Sequence, residues 1–362
     1  MIRIDDKKNC SGCGACAGIC PKKCLTMQAD EEGFLYPQAD ASLCIECGLC
    51  LRACPLLHRP EQHEVCGVYG VKNHDDGIRR RSSSGGMFSL LAGSVIDEGG
   101  IVFGAAFDSS LQVCHCGAES REELAALRGS KYVQSRLGGV YAEVRSLLRS
   151  GRSVMFSGTP CQAAGLKGFL QKDYDNLIAV DIVCHGVPSP KVYNKHLAEI
   201  AAAAGEPVER VEFRNKDKGW KGGETLFYTA HHKFGDTKRR EDYMRLFLNN
   251  VSIRPSCGSC AFNNRRSLAD ITLADYWGVD KQHPDFDDDR GVTLVIVNTE
   301  KGRRLFEKLR GSMDVLEISF EEGAEYNWAV VKSLALHPQR ERFFAELDKK
   351  TLKELAAELL DK

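Results

Sequence analysis

A four-cysteine run, C-x2-C-x2-C-x3-C-P, occurs twice at the start of this chain. It falls first on Cys10, Cys13, Cys16 and Cys20 before Pro21, and again on Cys44, Cys47, Cys50 and Cys54 before Pro55. No hydrophobic core requires thiols at that spacing. It is the ligand pattern of a bacterial-type ferredoxin holding two 4Fe-4S clusters. Three cysteines at i, i+3 and i+6 wrap one face of a cubane, and the fourth reaches across to the other cluster. One cluster is therefore expected on Cys10, Cys13, Cys16 and Cys54, and the second on Cys44, Cys47, Cys50 and Cys20. Gly12, Gly14 and Gly48 suit backbone folded tightly around sulfur. Two matched runs with trailing prolines argue against a disulfide or zinc scaffold.

With 362 residues the chain is much longer than a ferredoxin and suits two or three domains. Hydrophobic residues make up 43% and charged residues 27%, which describes a globular protein with a sizeable core. The 49 Lys and Arg balance 50 Asp and Glu, so no global field favours nucleic acid or an anionic membrane. The longest apolar stretch, LIAVDIVC, is interrupted by Asp181 and is far short of the roughly 18 residues a membrane span needs. Without an apolar leader, and with 16 cysteines pointing to metal and redox chemistry in a reducing compartment, a cytoplasmic protein is expected.

Residues 1–57 are expected to form the ferredoxin domain, with FLYPQAD as a short strand and turn, and residues 58–65 a polar linker. The pattern then becomes α/β. SSSGG leads into a helix over 86–97, IVFGAAF and LQVCHCGA alternate as paired strands, and REELAALRG and GGVYAEVRSLLRS read as helices. VMFSG is a buried strand running into T-P-C-Q, with Thr159 at the N-cap and Pro160 in the first turn. LIAVDIVC is a second apolar strand, followed by a helix that Gly205 stops. VERVEFRN, TLFYTAHHK, SLADITLAD and GVTLVIVN read as strands, and the chain is expected to close with helices, the last of them amphipathic.

A second set of cysteines lies in this part. Cys161 and Cys184 each follow an apolar strand, and Cys257 with Cys260 supplies a C-x2-C loop. Cysteines at the same ends of neighbouring strands converge, so these four read as a further four-thiolate site, which iron-sulfur and zinc satisfy equally on spacing alone. Cys114 and Cys116 flank His115 on one strand and read as core or surface thiols. Cys24 and Cys66 read as buried structural cysteines.

Taken in order, S-S-G-G-M-F (83–88), G-S-K-Y-V-Q-S (129–135), S-G-T-P-C-Q (157–162), C-H-G-V-P-S (184–189), the Cys257/Cys260 pair and A-D-Y-W-G (274–278) resemble the coenzyme F420 hydrogenase/dehydrogenase beta-subunit family. That family includes 7-hydroxymethyl chlorophyll a reductase of plants. The resemblance covers nearly the whole chain. It implies an α/β (α+β) flavin-binding core behind the ferredoxin domain, with FAD (or FMN) beside a third 4Fe-4S cluster on Cys161, Cys184, Cys257 and Cys260. On this division residues 66–180 carry flavin-binding loops, and residues 181–362 complete the flavin site and the third cluster. The cofactor-binding residues implied are Ser84, Gly85, Gly86, Ser130, Lys131, Gly158, Thr159 and Gln162. Backbone N–H groups ahead of a helix suit a pyrophosphate. No G-x-G-x-x-G fingerprint follows a strand, so a nicotinamide site is not expected.

Flavin hydride transfer needs an acid near the accepting atom, and His185, Lys131, Tyr132 and Tyr276 are the candidates, with Asp275 and Trp277 ordering the pocket. Arg79, Arg80 and Arg81 read as a solvated face or an anion contact. The expected activity is a flavin-dependent oxidoreductase that passes single electrons among clusters and exchanges hydride with coenzyme F420 or an organic substrate. Ferredoxin or coenzyme F420 is the expected redox partner, within a homo-oligomer or a larger redox complex. The rival reading is a non-catalytic electron-transfer subunit docked on a hydrogenase, formate dehydrogenase or reductase.

Overall fold

A computed structural model describes residues 1–59 and 61–361. The ferredoxin region contains one hairpin, β1 (Leu25–Ala29) and β2 (Leu35–Ala39), paired antiparallel from Leu25 opposite Ala39 to Ala29 opposite Leu35. FLYPQAD supplies β2, and its partner β1 follows the first cysteine run. Two short helices, Ala15–Ile19 and Leu49–Arg52, each begin after a glycine with positive φ, Gly14 at 71° and Gly48 at 73°. Those two positions carry the turn from each cysteine loop into its helix, a conformation that side chains beyond glycine adopt at a penalty.

The body is built on an eight-stranded sheet. Its strands are β3 (Gly67–Asn73), β4 (Ile101–Phe107), β5 (Val113–Ala118), β6 (Val154–Gly158), β7 (Leu177–Ile182), β11 (Ile271–Asp275), β12 (Thr293–Val297) and β13 (Met313–Ile318), in spatial order β13-β3-β12-β11-β7-β6-β4-β5. A separate sheet, β10-β9-β8, comprises β8 (Arg210–Asn215), β9 (Glu224–Tyr228) and β10 (Lys233–Thr237). In the large sheet β4, β6, β7 and β11 run parallel, and the flanking strands are antiparallel. Every residue of β6 and β12 is buried, the pattern of strands covered on both faces.

The helices cover both faces. Met87–Asp97 packs Met87, Leu91 and Val95 with Val102, Met155 and Val180. Val140–Arg149 and Pro160–Leu170 pack Val144, Leu166 and Phe169 with Phe103 and Phe156. That second core also takes in Cys13, Ala15 and Ala53 of the ferredoxin region. A Cβ on Gly168 would collide with the Ala53 carbonyl, so the bare backbone of the Pro160–Leu170 helix is what lets the cluster domain sit down on it. Arg340 reaches across from its own helix, Nη1 2.9 Å from Glu32 Oε1, and anchors the β1–β2 turn.

Several expectations are corrected. β3 and β13 went unpredicted, although β3 lies inside the sheet and β13 forms its edge. The helix expected at 121–129 is a single turn, Leu124–Leu127. TLFYTAHHK breaks into β9 and β10, paired as a hairpin from Tyr228 opposite Lys233. The division at 180/181 falls inside β7, and the large sheet draws strands from both sides of it. The 58–65 segment is pinned as well: the His63 N–H donates to the Ser267 carbonyl at 2.8 Å. The last helix, Leu352–Leu360, buries Leu352, Leu355, Ala356 and Leu359 against the core containing Tyr243 and Phe247. Among the described residues no helix is long and apolar enough to cross a membrane.

Candidate functional site

Three cavities are lined by cysteine. The first is walled by Cys10, Cys13, Cys16 and Cys54, with Ile2, Ile4, Met27 and Leu56. The second takes Cys20, Cys44, Cys47 and Cys50. In both, the fourth cysteine of one run completes the loop of the other, as the repeated pattern requires. The third takes Cys161, Cys184, Cys257 and Cys260. Cys161 sits in the first turn of the Pro160–Leu170 helix beyond β6, Cys184 just beyond β7, and the Cys257/Cys260 pair on the turn Pro255–Ser259 and its cap. Neighbouring parallel strands β6 and β7 thus deliver two of the four thiols to one end of the sheet.

Burial disfavours the thiolate at the cysteines of the first and third cavities that lie deepest. Burial pushes Cys16 and Cys257 up to about 12 and Cys161 to about 11, and Cys184 is raised well above its ordinary value by burial and by Cys257, Cys161 and Cys260 around it. Such sets ionise when a bound metal supplies positive charge, which reverses the local preference. Backbone N–H groups point at the sulfurs in readiness: Ala15 at Cys13, Gly186 at Cys184, Val187 at Cys257, and Phe262 and Asn263 at Cys260. Among the described residues no three His, Cys, Asp or Glu side chains converge tightly enough for a single ion.

The first and third cavities are adjacent, sharing Ser11 and Leu56 in their walls. Tyr141 is buried where its phenol feels both Cys13 and Cys161, and its hydroxyl donates to the Gln162 carbonyl at 2.8 Å. The second cavity is the outer one, with Cys47 exposed and Leu43 and Ile45 more than half exposed. Cys24, expected to be merely structural, packs into its wall with Sγ 3.4 Å from Cys20 Sγ. Cys66, also expected buried, is exposed.

The expected cofactor and acid residues divide between two places. Gln162 is fully engaged in the helix start, where Oε1 accepts the Thr159 N–H at 2.9 Å and Nε2 donates to Ser135 Oγ at 2.9 Å. Thr159 Oγ1 lies 3.2 Å from Cys161 Sγ, and the Gly158 Cβ position lies 3.0 Å from Gln162 Oε1. Thr159 therefore adjoins a cysteine of the third cavity, while Gly158 and Gln162 pack together at the helix start behind it. His185 lines that cavity, with Nε2 2.6 Å from Asn250 Oδ1, its ring edge-on to Phe247, and its pKa lowered by burial. Tyr276 is fully buried on Gly70, and among the described residues its hydroxyl has no partner. It thus lies in the core beside Gly70, apart from the third cysteine cavity.

The second place is where loops 82–86 and 129–132 meet. The Ser130 N–H donates to Ser83 Oγ at 2.7 Å. Ser84 Oγ donates to the Val292 carbonyl at 2.6 Å. Gly85 is a glycine because a Cβ would collide with the Val71 carbonyl and stand 2.6 Å from Thr293 N. The Ser84 hydroxyl and Gly85 are thus taken up by packing. Gly86, φ 90°, starts the Met87–Asp97 helix without a side-chain cap, and in the first turn the Ser89 N–H donates to the Gly86 carbonyl at 3.2 Å. Lys131 donates to the carbonyls of Ala126, Arg128 and Gly129 at 2.8, 3.0 and 3.2 Å, and burial lowers it to about 7. With three acceptors in place its ammonium staples its own loop.

Sequence patterning missed the group that organises this place. Arg214, buried, pairs with Asp275 Oδ2 at 2.5 Å, donates to Tyr132 Oη at 3.2 Å, and donates to the Ser83 carbonyl at 3.2 Å. Trp220 Nε1 donates to Asp275 Oδ1 at 3.2 Å, and its ring stacks on Trp277 at 4.8 Å and 3°. Lys238 Nζ stands 4.0 Å over the Trp277 ring, its pKa lowered to about 8 by burial and by Arg214. Arg79 is buried and grips Asp288 with Nη1–Oδ2 2.7 Å, so within its triplet only Arg80 and Arg81 are exposed.

Residues 151–322 match the family described as the carboxy-terminal part of the coenzyme F420 hydrogenase/dehydrogenase beta subunit, and residues 9–56 match the 4Fe-4S dicluster domain. The chain is similar to the component designated F of the F(420)H(2) dehydrogenase of Methanosarcina mazei, 22% identical over 322 residues, covering 85% of this chain and 84% of that one. Over 61 residues it is 39% identical to the component designated I of the NADH-quinone oxidoreductase of Pelobacter propionicus, covering 15% of this chain and 33% of that protein. A solved chain of the F420-reducing [NiFe] hydrogenase complex from Methanosarcina barkeri aligns with a TM-score of 0.49 at 19% identity, over 74% of this chain and 92% of its own. With its cluster-bearing N-terminus matched over residues 9–56 and its C-terminal part over residues 151–322, the chain is similar to the coenzyme F420 hydrogenase/dehydrogenase beta-subunit family.

Proposed function

We propose that the chain is an iron-sulfur electron-transfer subunit of an oxidoreductase complex, conducting electrons along three 4Fe-4S sites held by the twelve cysteines named above. The observation that carries this reading is the adjacency of the cavities: the outer one, opening beside Cys47, follows the Cys10/Cys13/Cys16/Cys54 cavity, which shares Ser11 and Leu56 with the Cys161/Cys184/Cys257/Cys260 cavity. The clusters, when bound, supply one-electron steps. The protein's part is to hold the thiols, aim N–H groups at sulfur and exclude water with Tyr141, Leu56 and Ala164.

A second reading is favoured by the Arg214, Trp277 and Lys238 grouping. There a flavin, FAD or FMN, would convert single electrons into hydride for coenzyme F420 or another organic partner. Arg214, fixed by Asp275, and Lys238 would meet its anionic part, the helix start after Gly86 would add donors, and Trp277 would offer a ring face. Tyr132 is then the acid candidate at hand. The names of the relatives support coenzyme F420 as the partner and a larger redox complex as the setting, and the reducing chemistry supports a cytoplasmic site of action.

Anaerobically purified protein is the test, with iron, sulfide and released flavin quantified per chain. About twelve irons are expected for three cubanes. About eight irons with one zinc would overturn the third site. Absence of flavin with all iron present would leave the electron relay standing and remove the hydride step.

A further inference from the structure

Among the described residues three arginines are buried, and two of them hold a carboxylate: Arg79 with Asp288 and Arg340 with Glu32; Arg214, whose side chain is 5% exposed, pairs with Asp275. Arg254 is 0% exposed, and among the described residues it pairs with no carboxylate within ion-pair distance. Its oxygen acceptors are neutral. Nε donates to the Cys10 carbonyl at 2.8 Å, Nη1 to Gln134 Oε1 at 3.1 Å and Nη2 to the Leu35 carbonyl at 3.0 Å. The guanidinium carbon lies 4.1 Å over the Tyr36 ring. A buried charge without a partner carries a heavy desolvation penalty, so the fold must place negative charge near it.

The cysteine sets, once ionised around a bound cluster, would supply that charge. Arg254 bonds the backbone of Cys10 through its side chain, and its own carbonyl accepts the Cys257 N–H at 3.0 Å. One residue therefore spans a ligand of the first ferredoxin set and a ligand of the core set. The neighbourhood is shaped to admit it: a Cβ on Gly12, where φ is 72°, would stand 2.7 Å from Arg254 Nη1.

We propose that Arg254 is a shared counter-ion for the first ferredoxin cluster and the core cluster, holding the reduction potentials of both up. This rests on reading both cysteine sets as 4Fe-4S sites. When one electron passes to either site from a low-potential donor, no bond forms or breaks and no proton moves. The site gains one negative charge, which Arg254 offsets. The outer site on Cys20, Cys44, Cys47 and Cys50 lies outside its contacts and serves as the internal control.

The test is an anaerobic redox titration of the full chain with dithionite as donor, following each cluster by electron paramagnetic resonance after iron has been counted. Arg254→Gln should shift two of the three midpoint potentials negative and leave the outer cluster unmoved, and Arg254→Lys should keep all three near the parent values. Gln134→Glu sets a carboxylate against the intact guanidinium and should also shift the same two potentials negative. A mere hydrogen-bond lock would leave that last variant unmoved. Unchanged potentials in both Arg254→Gln and Gln134→Glu overturn the proposal, as does an equal shift of all three clusters. Should Arg254→Gln lose iron, the Gln134→Glu potentials decide alone. A parent chain with no iron at the core set fails at the iron count, before any potential is read, and refutes the cluster reading itself.

Discussion

Gly165 lies against Cys13: a methyl group on Gly165 would stand 2.8 Å from Cys13 Cβ and 3.0 Å from Cys13 Sγ. The helix that carries Cys161 therefore approaches a cysteine of the ferredoxin domain with bare backbone, and this contact brings the first and third cysteine cavities side by side. Gly165→Ala should destabilise the docked arrangement by about 1–3 kcal/mol, the usual range for overpacking. Urea unfolding monitored beside iron content measures it, and unchanged values for both would mean that the helix and the cluster loop move apart without strain.

Asp275→Asn should be among the more damaging single changes outside the cysteines. It leaves the buried Arg214 guanidinium without its carboxylate, and removing one partner of a buried pair costs roughly 3–5 kcal/mol. Because Trp220 also donates to Asp275, tryptophan fluorescence should change as well. A urea midpoint equal to that of the parent would show that the pair is not a supporting element of these loops.

Asp181 introduces a pH dependence. Burial raises its carboxyl to about 6, although Ser267 Oγ donates to Oδ2 at 2.6 Å, and Oδ1 has no partner among the described residues. A raised carboxyl means that the folded chain binds the proton more tightly than the unfolded one. Stability from this group is thus greatest below the unfolded carboxylate value near 4 and falls until pH passes about 6. The loss at pH 8 is at most about 3 kcal/mol. Asp181→Asn should remove it, gaining little at pH 4 and most at pH 8. Equal stabilisation at both values in urea titrations would contradict the assignment.

Metal removal should be ordered. Cys47 is exposed, whereas Cys13 and Cys16 are buried. A chelator with mild oxidant should strip the outer cluster first, removing about four irons before the rest. Spectra taken against iron release test this, and simultaneous loss of all clusters would show that the cavities open together.

Local chemistry made much of this readable. The repeated cysteine run, the Met87–Asp97 helix after its glycines, the β4–β5 pair and the Thr159, Pro160 and Gln162 helix start all follow from residues adjacent in the chain. Gln162 illustrates the limit of that reading. Its place three residues after Thr159 marks a capping box, yet the family motif suggested a cofactor contact, and its amide is committed to the helix start. Tyr276 stands beside Asp275 and Trp277 in one motif, yet it is enclosed in the core.

What the sequence alone determined was the ligand inventory and the local elements: which thiols are present, at what spacing, and which segments turn into helices and strands. Tertiary structure decided the rest. The first and third cysteine sets become neighbours because Gly165 and Gly168 admit the ferredoxin domain, and Arg254 meets Cys10 across more than two hundred residues because Gly12 leaves it room. Side-chain volume and buried charge act through space, and no periodicity along the chain records which distant backbone a glycine is clearing.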